Sequence, residues 1–203
     1  MQNAQQKRGF WLRTLHNWHW ISSAVCLIGL LVFTITGVTL NHASLIEGKP
    51  KVETGTLQLP AEMLKQLDGK DAQPLPRSVA KWLRNNSRQN VTSGTVEWND
   101  DEVYVSMPRA GGDAWLSIDR ASGAVEFENT SRGTVSYLND LHKRRNTGAA
   151  WSWFIDVFAL GCVVFSVTGL FLLYFHARQR RLTWPLVGLG LLIPLLIALL
   201  FVH

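Results

Sequence analysis

Cysteine is scarce in this chain, which contains only Cys26 and Cys162 among its 203 residues. Both lie inside apolar stretches, and the polar middle of the chain, residues 43–150, has none. Disulfide bonds therefore cannot hold that middle region together, even in a compartment that would allow them. A domain there has to depend on a small hydrophobic core of its own.

Charge is almost absent from three stretches, residues 21–40, 151–175 and 184–202, where Asp156 is the one charged side chain. Each stretch reaches the roughly 18 to 20 residues that cross a hydrocarbon layer about 30 Å thick. The first is too long for the apolar part of a cleaved signal peptide. The sequence therefore predicts three transmembrane helices in a lipid bilayer. Asp156 stands near the predicted start of the second helix, which favours an interaction with the helix dipole over a proton relay or a cofactor contact.

The charges that remain are unevenly distributed along the chain. Residues 43–150 hold equal numbers of basic and acidic side chains, so the net charge of +5 comes from the flanking regions. The positive-inside rule places the N-terminus and the loop at residues 178–181 in the cytoplasm, and the long middle region outside. The basic residues that carry this asymmetry are Lys7, Arg8, Arg13, Arg178, Arg180 and Arg181. A neutral middle region also argues against a nucleic-acid partner.

The middle region has the pattern of a small α+β domain. Helices are predicted at residues 60–67 and 77–87, followed by strands at residues 95–98, 102–107, 114–118 and 125–128. The predicted domains are residues 1–48, the N-terminus with the first transmembrane helix; 49–135, the α+β domain; and 136–203, an amphipathic helix at 137–145 with two further transmembrane helices. No internal repeat is evident.

Five histidines mark the ends of the first two membrane helices. His16 and His19 lie at the inner end of the first helix, and His42 lies at its outer end, about 39 Å from His16 along an ideal helix. His142 precedes the second helix and His176 ends it. Facing histidines from two helices can bind a haem iron axially, whereas histidine at a membrane interface is also comfortable without a metal. The spacing leaves both interpretations open.

Two glycines accompany these histidines on the helical wheel. Gly37 shares a stripe with His19, and Gly169 shares one with His176. Such glycines could let a flat macrocycle approach the backbone, but close helix packing explains them equally well. Phosphate loops, dinucleotide glycine patterns, zinc motifs and nucleophile elbows are not found, so the sequence itself assigns no enzymatic reaction.

Several short motifs follow one another along the chain: Leu15-His16-Asn17-Trp18, Thr36-Gly37, Leu40-Asn41-His42, Leu141-His142-Lys143 and Ser166-Val167-Thr168-Gly169-Leu170. In this order they resemble the motifs of the PepSY-associated transmembrane helix proteins of bacterial inner membranes. In the middle region, residues 116–119 and 122–125 resemble the closing strands of a PepSY domain. The resemblance covers about residues 10–180 and implies a periplasmic PepSY-like domain inserted into an α-helical membrane protein of the inner membrane.

The resemblance implies a function in electron transfer. Related proteins include haem-containing reductases that pass electrons to periplasmic ferric siderophores, and others are associated with periplasmic flavoproteins. Carried over, it implies two b-type haems bound by His16, His42, His142 and His176, with His19 as a rival to His16. The donor would be a cytoplasmic flavin reductase or a quinol. The larger reductases have an additional helix and a longer periplasmic part, and this chain departs from them in both. Three helices make a thin enclosure for two haems, so a homodimer or a partner subunit would complete it.

The segment from Asp119 to Val125 resembles a site at which some proteins carry covalent FMN on a threonine. The acceptor position here is Val125, which has no hydroxyl group, so no covalent flavin is expected. Two alternatives to electron transfer remain: a membrane-anchored PepSY module that binds or regulates another protein without a cofactor, and an accessory subunit of a metal-uptake system.

Overall fold

The computed structural model describes residues 2–68, 74–177 and 180–202; Arg178 of the basic loop and His203 lie outside these ranges. The elements, in chain order, are α1 (Gln2–Asn41), α2 (Ala43–Ile46), β1 (Lys51–Gln58), α3 (Ala61–Leu64), α4 (Arg77–Ser87), β2 (Thr95–Trp98), β3 (Glu102–Ser106), β4 (Gly112–Asp119), β5 (Ala124–Ser131), α5 (Gly133–His142), α6 (Gly148–His176) and α7 (Thr183–Phe201). Single 3-10 turns follow α3 and precede β2.

Three of the helices, α1, α6 and α7, are long and apolar enough to cross a membrane, which confirms the predicted spans. Helix α1 begins at Gln2, well before the apolar stretch at residues 21–40, because the polar segment before that stretch is rich in good helix formers such as Gln, Ala and Lys. Most side chains of α7 are exposed, as expected for a surface that faces lipid. The protein is an α-helical membrane protein with an inserted α+β domain.

The inserted domain is built on one antiparallel sheet with the strand order β1-β5-β4-β3-β2 among the described residues. The predicted strands correspond to β2, β3, β4 and β5, and the hairpin at Asn99 forms as expected, since the Asn99 N–H donates to the Glu102 carbonyl at 2.9 Å. Alternation places Val103, Val105, Leu116 and Ile118 on one face, where all four are fully buried.

Strand β1 was not predicted from the sequence. Its Gly55 is a residue typical of turns, but it lies within the strand, opposite Phe127 of β5. A Cβ atom at Gly55 would lie only 2.3 Å from the Phe127 ring, so glycine makes room for the aromatic ring to cover the strand.

One face of the sheet is covered by α4, whose predicted bounds are confirmed. Val79 and Leu83, one turn apart on this helix, are fully buried against the sheet side chains. The hydrophobic core therefore lies between α4 and the sheet, and it forms without a disulfide bond.

The chain divides into two compact units, residues 1–31 with 155–203, and residues 32–154. In the first, α1 and α6 pack through glycine. A Cβ atom at Gly29 would lie 2.2 Å from the Phe158 ring, and one at Gly161 would lie 2.8 Å from Sγ of Cys26. Such close approach is typical of helices that associate within a membrane.

Candidate functional site: histidines of the membrane helices

Two of the predicted histidines meet at one end of the first unit. The rings of His16 and His176 have centroids 6.0 Å apart and planes at 85°. Nδ1 of His16 donates to the carbonyl of Leu12 at 2.9 Å, and Nδ1 of His176 donates to that of Leu172 at 2.8 Å. Because a carbonyl oxygen only accepts, Nδ1 carries the proton and Nε2 of each neutral ring keeps its lone pair. Both rings thus have the tautomer that binds a metal through Nε2.

His19 is held differently, by side chains of α6. Its Nδ1 lies 3.1 Å from Oγ1 of Thr168 and 3.2 Å from the carbonyl oxygen of Phe165, and its ring stacks on that of Phe165 at 4.9 Å and 13°. The Thr168 hydroxyl donates to the carbonyl of Val164, so its oxygen accepts the Nδ1 proton. Gly169 lies against the ring edge. We call Phe165, Thr168 and Gly169 the His19 socket.

His142 occupies a second site of the same composition, in the second unit. Its Nδ1 lies 2.8 Å from Oγ1 of Thr36, and its ring is tilted by 44° against Phe33 at 5.1 Å. The Thr36 hydroxyl donates to the carbonyl of Val32 at 3.0 Å, so it accepts from His142. Gly37 faces the ring, with 3.6 Å between a Cβ atom built there and Cε1. We call Phe33, Thr36 and Gly37 the His142 socket.

The two sockets belong to a repeated segment, which the sequence analysis missed. The residues of Gly29–Gly37 read GLLVFTITG, and those of Gly161–Gly169 read GCVVFSVTG. The two segments share both terminal glycines and, between them, the valine, phenylalanine and threonine at positions 32, 33 and 36 and at positions 164, 165 and 168. The signal was therefore present in the sequence. Gly37 and Gly169 each contact an imidazole ring from another part of the chain. The positions of residues around a single helix do not predict such a contact.

A polar network supports the segment that carries His142. The hydroxyl of Thr39 donates to Oδ1 of Asn139 at 3.1 Å, and Nδ2 of Asn139 donates to Glu47 at 3.0 Å. Asn139 is only 3% exposed. Its neighbour Asp140 accepts the backbone N–H of Gly111 at 2.8 Å. Helix α5 is therefore fixed both to the end of α1 and to the turn before β4.

His42 stands apart from His142, the other histidine of its unit. It is exposed, and its Nδ1 donates to the carbonyl of Val38 on its own helix at 3.0 Å. Across the described part of the chain, no hydrogen bond or ring contact joins His42 to His142. The structure thus brings His16 to His176 and seats His19 and His142 in sockets, while His42 points to no other candidate residue.

Asp156 lies two turns beyond Gly148, where α6 begins, and the first turn of α6 contains no acid. The dipole interpretation of Asp156 is therefore wrong, because the dipole effect fades beyond the first turn.

Within residues 2–68, 74–177 and 180–202, no three histidine, cysteine or acidic side chains cluster as a metal site. A metal on these residues would need to bring further ligands, as a haem iron does through its macrocycle.

Comparison with known proteins gives one match. The model of the PepSY_TM-like family matches residues 10–203. Neither the curated proteins nor the solved structures contain a significant match to this chain. The family match includes all three membrane helices, the inserted domain and both histidine sockets, so the chain belongs to the PepSY_TM-like family.

Proposed function

We propose that this protein is a transmembrane electron conduit of the bacterial inner membrane. Two b-type haems would be held by histidine pairs, His16 with His176 and His42 with His142. Bis-histidyl haem would supply one-electron transfer, and the chain would supply the axial ligands and their orientation. Electrons would come from a cytoplasmic flavin reductase or a quinol and leave to a periplasmic ferric siderophore or flavoprotein.

The observation that carries the proposal is the spacing of His16 and His176. An iron bonded to two imidazole nitrogens at about 2 Å each separates the ring centres by about 6 Å, since each nitrogen lies about 1 Å from its ring centre. The centroid distance of 6.0 Å equals this separation, and the two ring planes stand at 85° to each other. Both Nδ1 atoms are already bound to carbonyl oxygens, which is the support that metal-binding histidines commonly have.

The support at the other pair is less complete. His142 fits a ligand role, because Thr36 binds its Nδ1 and the lone pair of Nε2 is left for donation to a metal. For His42, the exposed ring and the family resemblance are the support, and it would have to turn toward His142 or toward a second copy of the chain. A homodimer is therefore part of the proposal.

The proposed orientation follows from charge. Lys7, Arg8 and Arg13 precede the apolar part of α1, and Arg180 and Arg181 precede α7, so the positive-inside rule assigns these ends to the cytoplasm. The inserted domain would then lie in the periplasm. Labelling of a cysteine introduced at Asn99 by an impermeant reagent in intact spheroplasts tests this; protection of that site would reverse the direction of electron flow.

The spectrum of the protein tests the cofactor. Protein purified from membranes with sufficient haem supply should show a b-type spectrum that sharpens on reduction. His176→Ala and His142→Ala should each remove a different haem, and Asn17→Ala, next to His16, serves as the control that should remove neither. If His16 is the ligand, His16→Ala should match His176→Ala and His19→Ala should keep the haem; the reverse result assigns His19. A stable, colourless protein would overturn the proposal.

A binding module without a cofactor is the second candidate. The inserted domain favours it, because this domain has a hydrophobic core of its own and a groove lined by basic side chains, which is described below. Electron transfer through haem would not require such a groove. In that case His16, His42 and His176, which are exposed, would be interfacial side chains without a metal, and their alanine variants would leave the protein's partner binding unchanged.

A further inference from the structure

A groove of 430 Å³ opens between α4 and the edge strand β2 of the inserted domain. Its apolar walls include Pro74 and Leu75 before α4, and Val91 and Val96 at the edge of the sheet. This volume is within the range of about 300–1,000 Å³ that is typical of ligand sites. The groove lies far along the sheet from β1, the strand that follows the first membrane helix.

Three exposed cations line the groove, and they share one face of α4. Arg77, Lys81 and Arg84 stand four and three residues apart, so they form a row along the helix. None of them forms an ion pair with another described residue, and no described acidic side chain lines the groove. This concentration of positive charge contrasts with the balanced charge of residues 43–150, and it favours an anionic occupant.

The strand that borders the groove, β2, is the last strand of the described sheet. Asn99 and Glu102 form a hydrogen-bonded pair, and such pairs alternate along an antiparallel ladder. Glu97 and Thr95 are therefore paired with β3 by hydrogen bonds, while the N–H and C=O groups of Val96 point to the outer side of β2. Among the described residues no strand pairs with β2 on that side.

We infer that this groove binds an extended acidic segment of a partner protein, which pairs with β2 as an additional strand and places its carboxylates against Arg77, Lys81 and Arg84. Backbone pairing to an open edge supplies affinity, and alternate side chains, which point to one face, supply specificity. An apolar side chain between two acids would fill the groove. The inference goes beyond electron transfer, because it requires no cofactor.

A fluorescent peptide provides the test. The probe is an acetylated heptapeptide, Thr-Glu-Thr-Leu-Thr-Glu-Thr-amide, which presents its glutamates and leucine on one face, and its anisotropy is measured with the full chain in detergent. The double variant Lys81→Gln/Arg84→Gln should weaken binding at least about tenfold, and added salt should weaken binding to the unaltered chain. The matched control Lys49→Gln/Lys51→Gln removes two cations near the opposite edge and should change the affinity less than about twofold.

Two further peptides separate strand addition from simple charge attraction. Methylation of the backbone nitrogens that would face β2 should abolish binding, whereas methylation of the alternate nitrogens should not. Replacement of both glutamates by lysine should also abolish it. Equal binding of the two methylated peptides would overturn the inference. Displacement of the probe and of both methylated peptides by ferric citrate would also overturn it, in favour of a small anionic ligand. Because the readout is peptide anisotropy, the result is independent of whether the chain carries haem.

Discussion

The His19 socket and the His142 socket use the same three residue types but depend on them differently. Nδ1 of His19 has two acceptors, Oγ1 of Thr168 and the carbonyl of Phe165, whereas the acceptor of His142 is Thr36. At the glycines the His19 socket is the more demanding one, because Gly169 lies closer to the His19 ring than Gly37 lies to the His142 ring. A repeated sequence segment therefore does not guarantee repeated energetics, because each copy meets a different partner.

The largest expected difference concerns the threonines. Thr36→Val should lower the free energy of unfolding by about 1–2 kcal/mol, because it leaves the Nδ1 proton of His142 without an acceptor. Thr168→Val should cost less than about 0.5 kcal/mol, since the Phe165 carbonyl remains. Unfolding by SDS in mixed micelles, followed by tryptophan fluorescence, measures both.

The serine variants control for this comparison. Thr36→Ser and Thr168→Ser keep the hydroxyl group and should retain most of the stability of the unaltered chain. Nitrogen NMR of the imidazole rings should show that His142 loses its fixed tautomer only in Thr36→Val. Equal losses in the two valine variants would show that the second acceptor of His19 contributes nothing.

The glycines should show the opposite order. A Cβ atom at Gly169 would lie 3.2 Å from Cε1 of His19, closer than an ordinary contact, whereas the corresponding distance from Gly37 to His142 is 3.6 Å. Gly169→Ala should therefore destabilise the protein by about 1 kcal/mol. Gly37→Ala should be neutral or stabilise it by up to about 0.5 kcal/mol, because alanine is the better helix former. The same SDS titration measures both variants. A larger loss of unfolding free energy in Gly37→Ala than in Gly169→Ala would contradict the tighter ring contact at Gly169.

The smallest expected difference lies in the aromatic rings. Phe165 is stacked on His19 at 13°, whereas Phe33 is tilted by 44° against His142. Phe165→Leu should cost about 0.5 kcal/mol more than Phe33→Leu, which is within the usual contribution of an aromatic pair. A double-mutant cycle with the alanine variant of each histidine isolates the ring contact from the general loss of packing. Coupling energies that are equal in the two cycles would show that ring orientation is unimportant here.

Much of the fold could be predicted because its physical cause is written locally in the sequence. Length and apolarity alone define α1, α6 and α7, and alternation around an Asn-Asp-Asp turn defines β2 and β3. Strand β1 lacks such a signal, because an edge strand with mostly exposed side chains shows no alternation. Its Gly55 is explained only by the Phe127 ring, which is distant in sequence.

The candidate site could be predicted only in part. The histidines stand out because imidazoles near a membrane need partners, and one predicted pair, His16 with His176, does come together. The threonines that hold His19 and His142 could not be assigned, although the repeated segments were visible. The two histidines stand at different sequence distances from the repeats, so spacing alone does not indicate which ring enters which socket.

The pairing of Lys51 with Ser131 brings the two ends of the sheet segment together. The chain enters the domain at the start of β1 and leaves it at the end of β5, and these two positions are neighbours on adjacent antiparallel strands, about 5 Å apart. Deletion of residues 51–131 therefore needs only a short bridge between the remaining ends, as for other domains whose ends are close. Residues 51–131 replaced by a Gly-Ser-Gly bridge should leave a membrane protein that still inserts and keeps the protected imidazole of His19 by NMR. Loss of insertion would show instead that the sheet guides the assembly of the helices.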